Sequence, residues 1–238
     1  MARAAVPRLA AAPAIAAYIA AVLWVDRGAS YPQQLALGAV TWLVLAAALA
    51  AVSPQRRTLT LGVVLFATVG EVTGSLIWGV YSYRLHNLPL FIPPAHGLVY
   101  LAGLSVARAA ERHARTLVGI AAAAAATWGL LGLIVLPRRD VAGALGVPLL
   151  LLFMWRSRNR TVYAGVFLVV AALELYGTAI GTWRWAPDLP GTGIPDGNPP
   201  SGVAAGYVWF DVMALCVFAP LVSRFPRRTP HAPAVVAD

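Results

Sequence analysis

Nine acidic residues are spread along the 238-residue chain, and three of them, Glu71, Glu174 and Asp211, fall inside long apolar runs. A carboxylate at membrane depth is costly, seeks a partner and marks a functional site by default. The other six, Asp26, Glu111, Asp140, Asp188, Asp196 and Asp238, fall in loops or tails. Counting along the helices puts Glu71 and Glu174 about 20 Å from the inner face and Asp211 about 12 Å from the outer face. In a hydrocarbon core about 30 Å thick these are nearly one level, in the outer half. His96 falls at a similar or slightly shallower depth. Four titratable side chains at one depth imply one cavity, with these four as the candidate catalytic groups. Carboxyls placed in unlike surroundings can divide the roles of acid and base. Such a pair can protonate an alkene and stabilise the resulting cation, or relay a proton coupled to transport.

The neighbours fit a site. Three- and four-residue spacing puts Glu71, Gly74 and Trp78 on one helix face and Glu174, Gly177 and Gly181 on another. His96 with Tyr100, and Tyr207 with Asp211, are i,i+4 pairs that set a polar tip beside a titratable group. Trp78, Tyr81, Tyr100, Trp183, Trp185, Asn198 and Tyr207 are the candidate substrate-binding residues, with Tyr83 beside them in an aromatic rim. Plainer readings exist for each. A lone Glu can simply hydrogen-bond across helices, a His after Pro-Pro can be structural, and aromatic loops can be an interface belt. No His or Cys residues stand at ligand spacing within a run, so no metal and no cofactor are expected. Phosphate-loop, nucleophile-elbow and Cys-x-x-Cys signatures are lacking.

The elements that must hold these residues follow from composition. The chain is 60% hydrophobic and 11% charged, and all 18 of its basic residues are Arg. A soluble domain carries about 25% charged residues, so a soluble domain, a disordered chain and a disulfide scaffold are excluded, and nucleic acid is not an expected partner. Cys216 has no second cysteine to pair with. Apolar runs near 9–25, 35–53, 58–80, 88–107, 116–136, 141–155, 161–182 and 203–223 predict an all-α, polytopic membrane bundle of about eight transmembrane helices. The sixth is short, carries Pro148 and also reads as re-entrant or distorted. With the N-terminus inside, 13 arginines fall on inner segments and 5 on outer ones, as the positive-inside rule requires. The expectation is a multi-pass protein of the plasma (inner) membrane with both termini cytoplasmic. The membrane domain covers 1–224, and the Pro-rich segment 225–238 reads as a disordered cytoplasmic tail. The charged start and first run also resemble a signal peptide, whose removal would leave seven spans.

Two stretches echo each other. Glu71-Val-Thr-Gly74 is followed by Trp78, Tyr81, Tyr83, Asn87, Pro93-Pro94, His96 and Tyr100. Glu174-Leu-Tyr-Gly177 is followed by Trp183, Trp185, Asn198, Pro199-Pro200 and Tyr207. Fixed order at near-constant offset is the mark of duplication. It predicts two parallel four-helix repeats, 1–112 and 113–224.

Glu71-x-x-Gly74, Gly79-x-Tyr81-x-Tyr83, Pro89, Ile92 and Pro93, with Trp183-x-Trp185, Ile194-Pro195 and Asn198, resemble the motif regions of membrane carotenoid hydratases of the bacterioruberin-pathway type. The match covers about 60 residues. His96 stands where a large aromatic is expected, and Pro199-Pro200-Ser201 replaces an aromatic-glycine pair. Small integral-membrane terpene cyclases are similar in size and in their use of intramembrane acids. The resemblance implies water addition to, or cyclisation of, an isoprenoid double bond without a redox cofactor. The leading expectation is therefore a cofactor-independent membrane lyase, hydratase or cyclase acting on an isoprenoid or related lipid. In it Glu71 or Glu174 is the proton donor, Asp211 the paired acid/base and His96 a proton shuttle. A proton- or ion-coupled transporter or lipid-handling protein is the alternative, and a structural subunit of a membrane complex the third. The expected partners are the bilayer and an apolar ligand; oligomeric state is left open.

Overall fold

The computed structural model describes residues 11–222; the expectations about the N-terminal leader and the 225–238 tail lie outside them. Eight α-helices follow in order: α1 (Ala11–Asp26), α2 (Tyr31–Ala50), α3 (Pro54–Glu71), α4 (Ile92–Ala109), α5 (Ala114–Ile134), α6 (Val141–Arg156), α7 (Arg160–Ala179) and α8 (Val203–Val222). Short strands β1 (Tyr81–Tyr83), β2 (Trp183–Trp185), β3 (Asp188–Leu189) and β4 (Ile194–Pro195) lie in the loops at one end, here called the cap. Local sequence sets the helix starts. Ser30 and Gln33 form a capping box on α2, the Ser53 hydroxyl accepts from the Arg56 N–H at the start of α3, and the Asp140 carboxylate accepts from the Gly143 N–H at the start of α6. Each satisfies a donor that the first helical turn leaves open.

Two crossings form the centre, α4 on α7 and α3 on α8. Glycine permits both. A Cβ on Gly165 would stand 2.6 Å from the Gly103 carbonyl oxygen, and one on Gly70 would stand 2.5 Å from the Phe210 ring. Small residues let membrane helices approach this closely. Beside the centre, α1 packs on α4 and α7, α2 packs on α4, and α5 packs on α6 and α7.

The expectation of eight spans is corrected. Among the described residues, four helical segments are long and apolar enough to cross a membrane: Tyr31–Ala50, Pro54–Trp78, Glu111–Ile134 and Arg160–Ala179. These give the protein its membrane-associated character. The helices α1 and α6 have 16 residues each, about 24 Å at 1.5 Å per residue, against a core of about 30 Å. Helix α4, with Pro93, Pro94 and His96, lies among α1, α2, α3 and α7 and is mostly buried. A helix sheathed by protein has no need of a lipid-compatible sequence. Helix α6 is continuous through Pro148. The sequence echo is visible locally: α3–β1–α4 and α7–β2–α8 have the same order, and each first helix crosses the other pair's second. In the flanking helices the correspondence is partial: α2 packs on α4 as α6 packs on α8, whereas α1 packs on α4 and α5 on α7.

Candidate functional site

Strands β1 and β2 pair antiparallel with Tyr81 opposite Trp185, Ser82 opposite Arg184 and Tyr83 opposite Trp183. Backbone bonds continue on both sides, from Ala186 N–H to the Val80 carbonyl and from Arg84 N–H to the Thr182 carbonyl. Side chains two apart on a strand share a face, so four aromatic rings point inward together. They meet the two glutamates. Glu71 Oε2 accepts from the Tyr81 hydroxyl at 2.8 Å and the Tyr83 hydroxyl at 2.6 Å. Glu174 Oε2 accepts from the Trp183 indole N–H at 2.9 Å and the Trp185 indole N–H at 3.3 Å. Each carboxylate is thus held by the two alternate aromatics of the strand that follows it.

The Glu-x-x-Gly spacing has a steric reason. A Cβ on Gly74 would come within 3.0 Å of the Tyr81 ring, and one on Gly177 within 2.1 Å of the Trp183 ring. Each glycine is the seat of the ring that holds the glutamate one turn earlier. The backbone repeats too: Ser75 and Thr178 hydroxyls donate to the carbonyls of Glu71 and Glu174, and Gly79 and Gly181 turn the chain into the strands at φ 76° and 80°. Glycine adopts this left-handed conformation without the Cβ penalty. Between glutamate and turn glycine the first copy has one residue more than the second. The π-helix Val72–Trp78 accommodates it, a wider turn of the kind that recurs at functional sites.

His96, near the start of α4, completes the site. Its Nε2 lies 2.9 Å from Glu71 Oε1. Its ring stacks on Tyr207 at 4.7 Å and meets Phe210 edge-on at 5.9 Å. The Tyr207 hydroxyl lies beside Glu174. These groups line one cavity of about 200 Å³, whose other walls include Ile19, Val22 and Leu23 of α1, Phe91 and Ile92 of α4, and Leu173 of α7. Tyr18 and Thr41, hydrogen-bonded at 2.9 Å across α1 and α2, close another side. The site is a ring of carboxylates, hydroxyls and indoles in an otherwise apolar chamber among membrane helices.

The expected site residues therefore divide. Glu71, Glu174, His96, Tyr81, Trp183, Trp185 and Tyr207 line the cavity together. Asp211 does not: it is buried one helical turn further along α8, with Tyr100 of α4 as its neighbour. Trp78 is 49% exposed and donates its indole N–H to the Pro190 carbonyl, because the π-turn carries it away from the Glu71 face. Asn198 fastens the cap, accepting from the Trp185 backbone N–H at 2.9 Å, and borders an open cap pocket with Trp128, Arg138 and Arg184. Tyr83, which the sequence reading sets only in the aromatic rim, bonds Glu71 directly, and its alternation with Tyr81 is the signal for it. Tyr18, Thr41 and Phe91 carry no such signal.

Three acids read as loop residues are also structural. Asp26, Asp140 and Asp196 are 0%, 1% and 2% exposed. Asp26 accepts from the Gln34 amide, which in turn accepts from Asn87, and this chain ties α1 and α2 to the segment after β1. Asp140 accepts from the backbone N–H groups of Gly143, Gly197 and Ser201. Asp196 lies beside Asp140. Burial and then that neighbour push its carboxyl up to about 7, against the opposing pull of Arg138. Arg138 itself donates to the backbone carbonyls of Trp185, Ala186 and Asp196, so the α5–α6 loop clamps the end of β2.

Comparison with known proteins adds no relative: no family model matches the chain, and no curated protein or solved structure matches it.

Proposed function

We propose that the protein is a membrane enzyme that protonates a double bond of an isoprenoid or similarly apolar lipid, leading to hydration or cyclisation. One observation carries this reading: two buried glutamates, each held by two aromatic donors, share one largely apolar cavity with a histidine on one of them. A chamber of about 200 Å³ suits the end of a chain, given that a cavity of roughly 150 Å³ holds a benzene ring.

The donors support a division of roles. Hydroxyl and imidazole groups both give and accept protons, whereas an indole N–H only donates. Glu71, bonded to Tyr81, Tyr83 and His96, is the group placed to lose and regain a proton. Glu174 takes two indole N–H bonds that only donate, with the Tyr207 hydroxyl as its one two-way partner, and offers negative charge. In the proposed step the Glu71 carboxyl gives its proton to one alkene carbon, and the π pair forms the new C–H bond. The other carbon becomes a cation beside Glu174 and the aromatic faces. Water then adds, or a neighbouring double bond attacks, and in either case the one proton released passes to the Glu174 carboxylate and on to solvent, while Glu71 is reprotonated separately. The resemblance to carotenoid hydratases and small terpene cyclases supports the same substrate class. The arginines support the orientation: among the described residues five, Arg27, Arg84, Arg138, Arg139 and Arg184, lie at the cap end and eight at the other. The positive-inside rule then turns the cap outward from the cytoplasm, in a plasma membrane.

Expression in cells that make acyclic carotenoids or polyprenyl chains, followed by mass spectrometry of lipid extracts, tests the reading. The expected result is a product heavier by one water, or an isomer of unchanged mass. Unchanged lipids across a panel of isoprenoids, or full activity in a Glu71→Gln/Glu174→Gln variant, overturn it. The paired placement of the two glutamates between corresponding helices favours, as second reading, a proton-coupled transporter. That reading predicts proton flux in proteoliposomes with no product.

A further inference from the structure

A proton spent at Glu71 must be replaced, and the aromatic cap closes the site from one end. Among the described residues, two buried side-chain atoms in the interior of the helices have no hydrogen-bond partner: His96 Nδ1 and Asp211 Oδ2. Buried polar atoms are nearly always satisfied, by protein or by ordered water, so two orphans in one region ask for a common explanation. The geometry relates them. Asp211 follows Tyr207 by one turn on α8, and Tyr207 stacks on His96 at 4.7 Å. On α4 Tyr100 follows His96 by one turn, and Tyr100 is a neighbour of Asp211. Helical side chains lean toward their own N-terminus, which on α8 directs the Asp211 carboxyl toward Tyr207 and the cavity. Asp211 is 3% exposed, so its position is not that of a solvated surface acid. Around Tyr100 the charged and titratable groups are Asp211 itself, Arg56 of α3, Arg108 of α4 and Tyr163 of α7.

We propose that Asp211 is the proton input of the cavity, linked by bound water to His96 Nδ1 and through His96 to Glu71. The inference rests on the enzymatic reading only in needing Glu71 to be reprotonated. The transfer balances. Asp211 gives its proton to a water, which gives one of its own to His96 Nδ1. The His96 Nε2–H passes its proton over 2.9 Å to Glu71 Oε1. Asp211 is left as a carboxylate to be reprotonated, and His96 is left neutral with its proton on Nδ1; a turn of the ring restores the Nε2–H form for the next transfer. Asp211 is thus a positioning and relay residue, separate from the reacting atoms.

The test uses the full chain, labelled with ¹⁵N-histidine, in phosphatidylethanolamine/phosphatidylglycerol vesicles. Solid-state NMR follows the exchange of the His96 ring N–H into D₂O, with a His96→Gln sample identifying the signals. Exchange is expected to slow by about tenfold or more in Asp211→Asn, as for loss of a proton-transfer group, and to recover in Asp211→Glu. A structural role for Asp211 would leave the rate unchanged in a folded Asp211→Asn protein, and that result overturns the proposal. Should Asp211→Asn fail to fold, the wild-type protein decides alone: a water cross-peak at His96 Nδ1 is expected, and a dry Nδ1 overturns the route. No substrate is needed, so the relay can fail in an active enzyme and hold in a chain that yields no product.

Discussion

Glu71 and Glu174 occupy the same local scaffold with different chemistry. Each precedes a glycine that seats an aromatic ring, each has its carbonyl bonded by a hydroxyl four residues on, and each is held by the inward side chains of its own strand. The first carboxylate meets O–H donors and an imidazole; the second meets indole N–H donors from its strand. The residue matching His96 at the Pro-Pro offset is Gly202, so the second copy has no imidazole. One backbone device thus holds two carboxylates side by side and surrounds them with unlike partners.

The largest effect expected from breaking this pair is at the first glutamate. Glu71→Gln should lower product formation by about 10² to 10⁴-fold, the usual range for a general acid. Glu174→Gln should cost about 10² to 10³-fold, as for loss of an electrostatic stabiliser. Rate measurements on isoprenoid-containing membranes compare the two, and an equal, negligible loss in both would remove the comparison's basis. The glycine seats come next. Gly177→Ala forces the Trp183 ring aside and should destabilise by about 1–3 kcal/mol, the range for an overpacked core. Gly74→Ala, with its wider 3.0 Å clearance, should cost less, and thermal unfolding in detergent ranks them. A larger loss for Gly74→Ala would reverse the packing argument.

A smaller effect belongs to the cap. The Asp196 carboxyl is pushed from 3.8 up to about 7 by burial and then by Asp140, so the folded protein holds that proton more tightly than the unfolded chain. Its contribution to stability is complete below the unfolded value and is lost as pH rises through about 7. The unfolding midpoint should therefore fall between acid and neutral pH by more in the wild type than in Asp196→Asn. Parallel curves would contradict the assignment. The smallest change is expected from Trp185→Phe, which removes the 3.3 Å bond to Glu174 and keeps a ring packed against Tyr81, now 4.6 Å away and tilted; activity should drop only a few-fold, since one net hydrogen bond is worth about 1 kcal/mol.

Much of this arrangement could be read from residue types and spacing. The eight helical runs, the two Glu-x-x-Gly motifs and the inward aromatics are local patterns, and local patterns survive into structure. What was not legible depends on packing between distant segments. Eight apolar runs became eight helices, and the shortness of the sixth shows in its own run, but the enclosure of α4 by its neighbours shows in none. Asp211 lies one turn beyond Tyr207 on α8, because the cavity groups gather nearer the cap than counting along single helices places them. Asp26 and Asp196 look like solvated loop acids because nothing nearby in sequence shows the cap loops folding on one another. Asp140, standing directly before a helical run, did carry an N-cap signal.

A proton that this cavity gives to carbon can be counted as deuterium in the product. Membranes isolated from cells that produce the protein, suspended in D₂O buffer and supplied with undeuterated acyclic isoprenoid in vesicles, allow the product's carbon-bound deuterium to be counted by mass spectrometry. The membranes of the wild type should yield product with one carbon-bound deuterium, and those of Glu71→Gln should yield none. Product without deuterium, or labelled product from Glu71→Gln at the wild-type rate, would contradict the account.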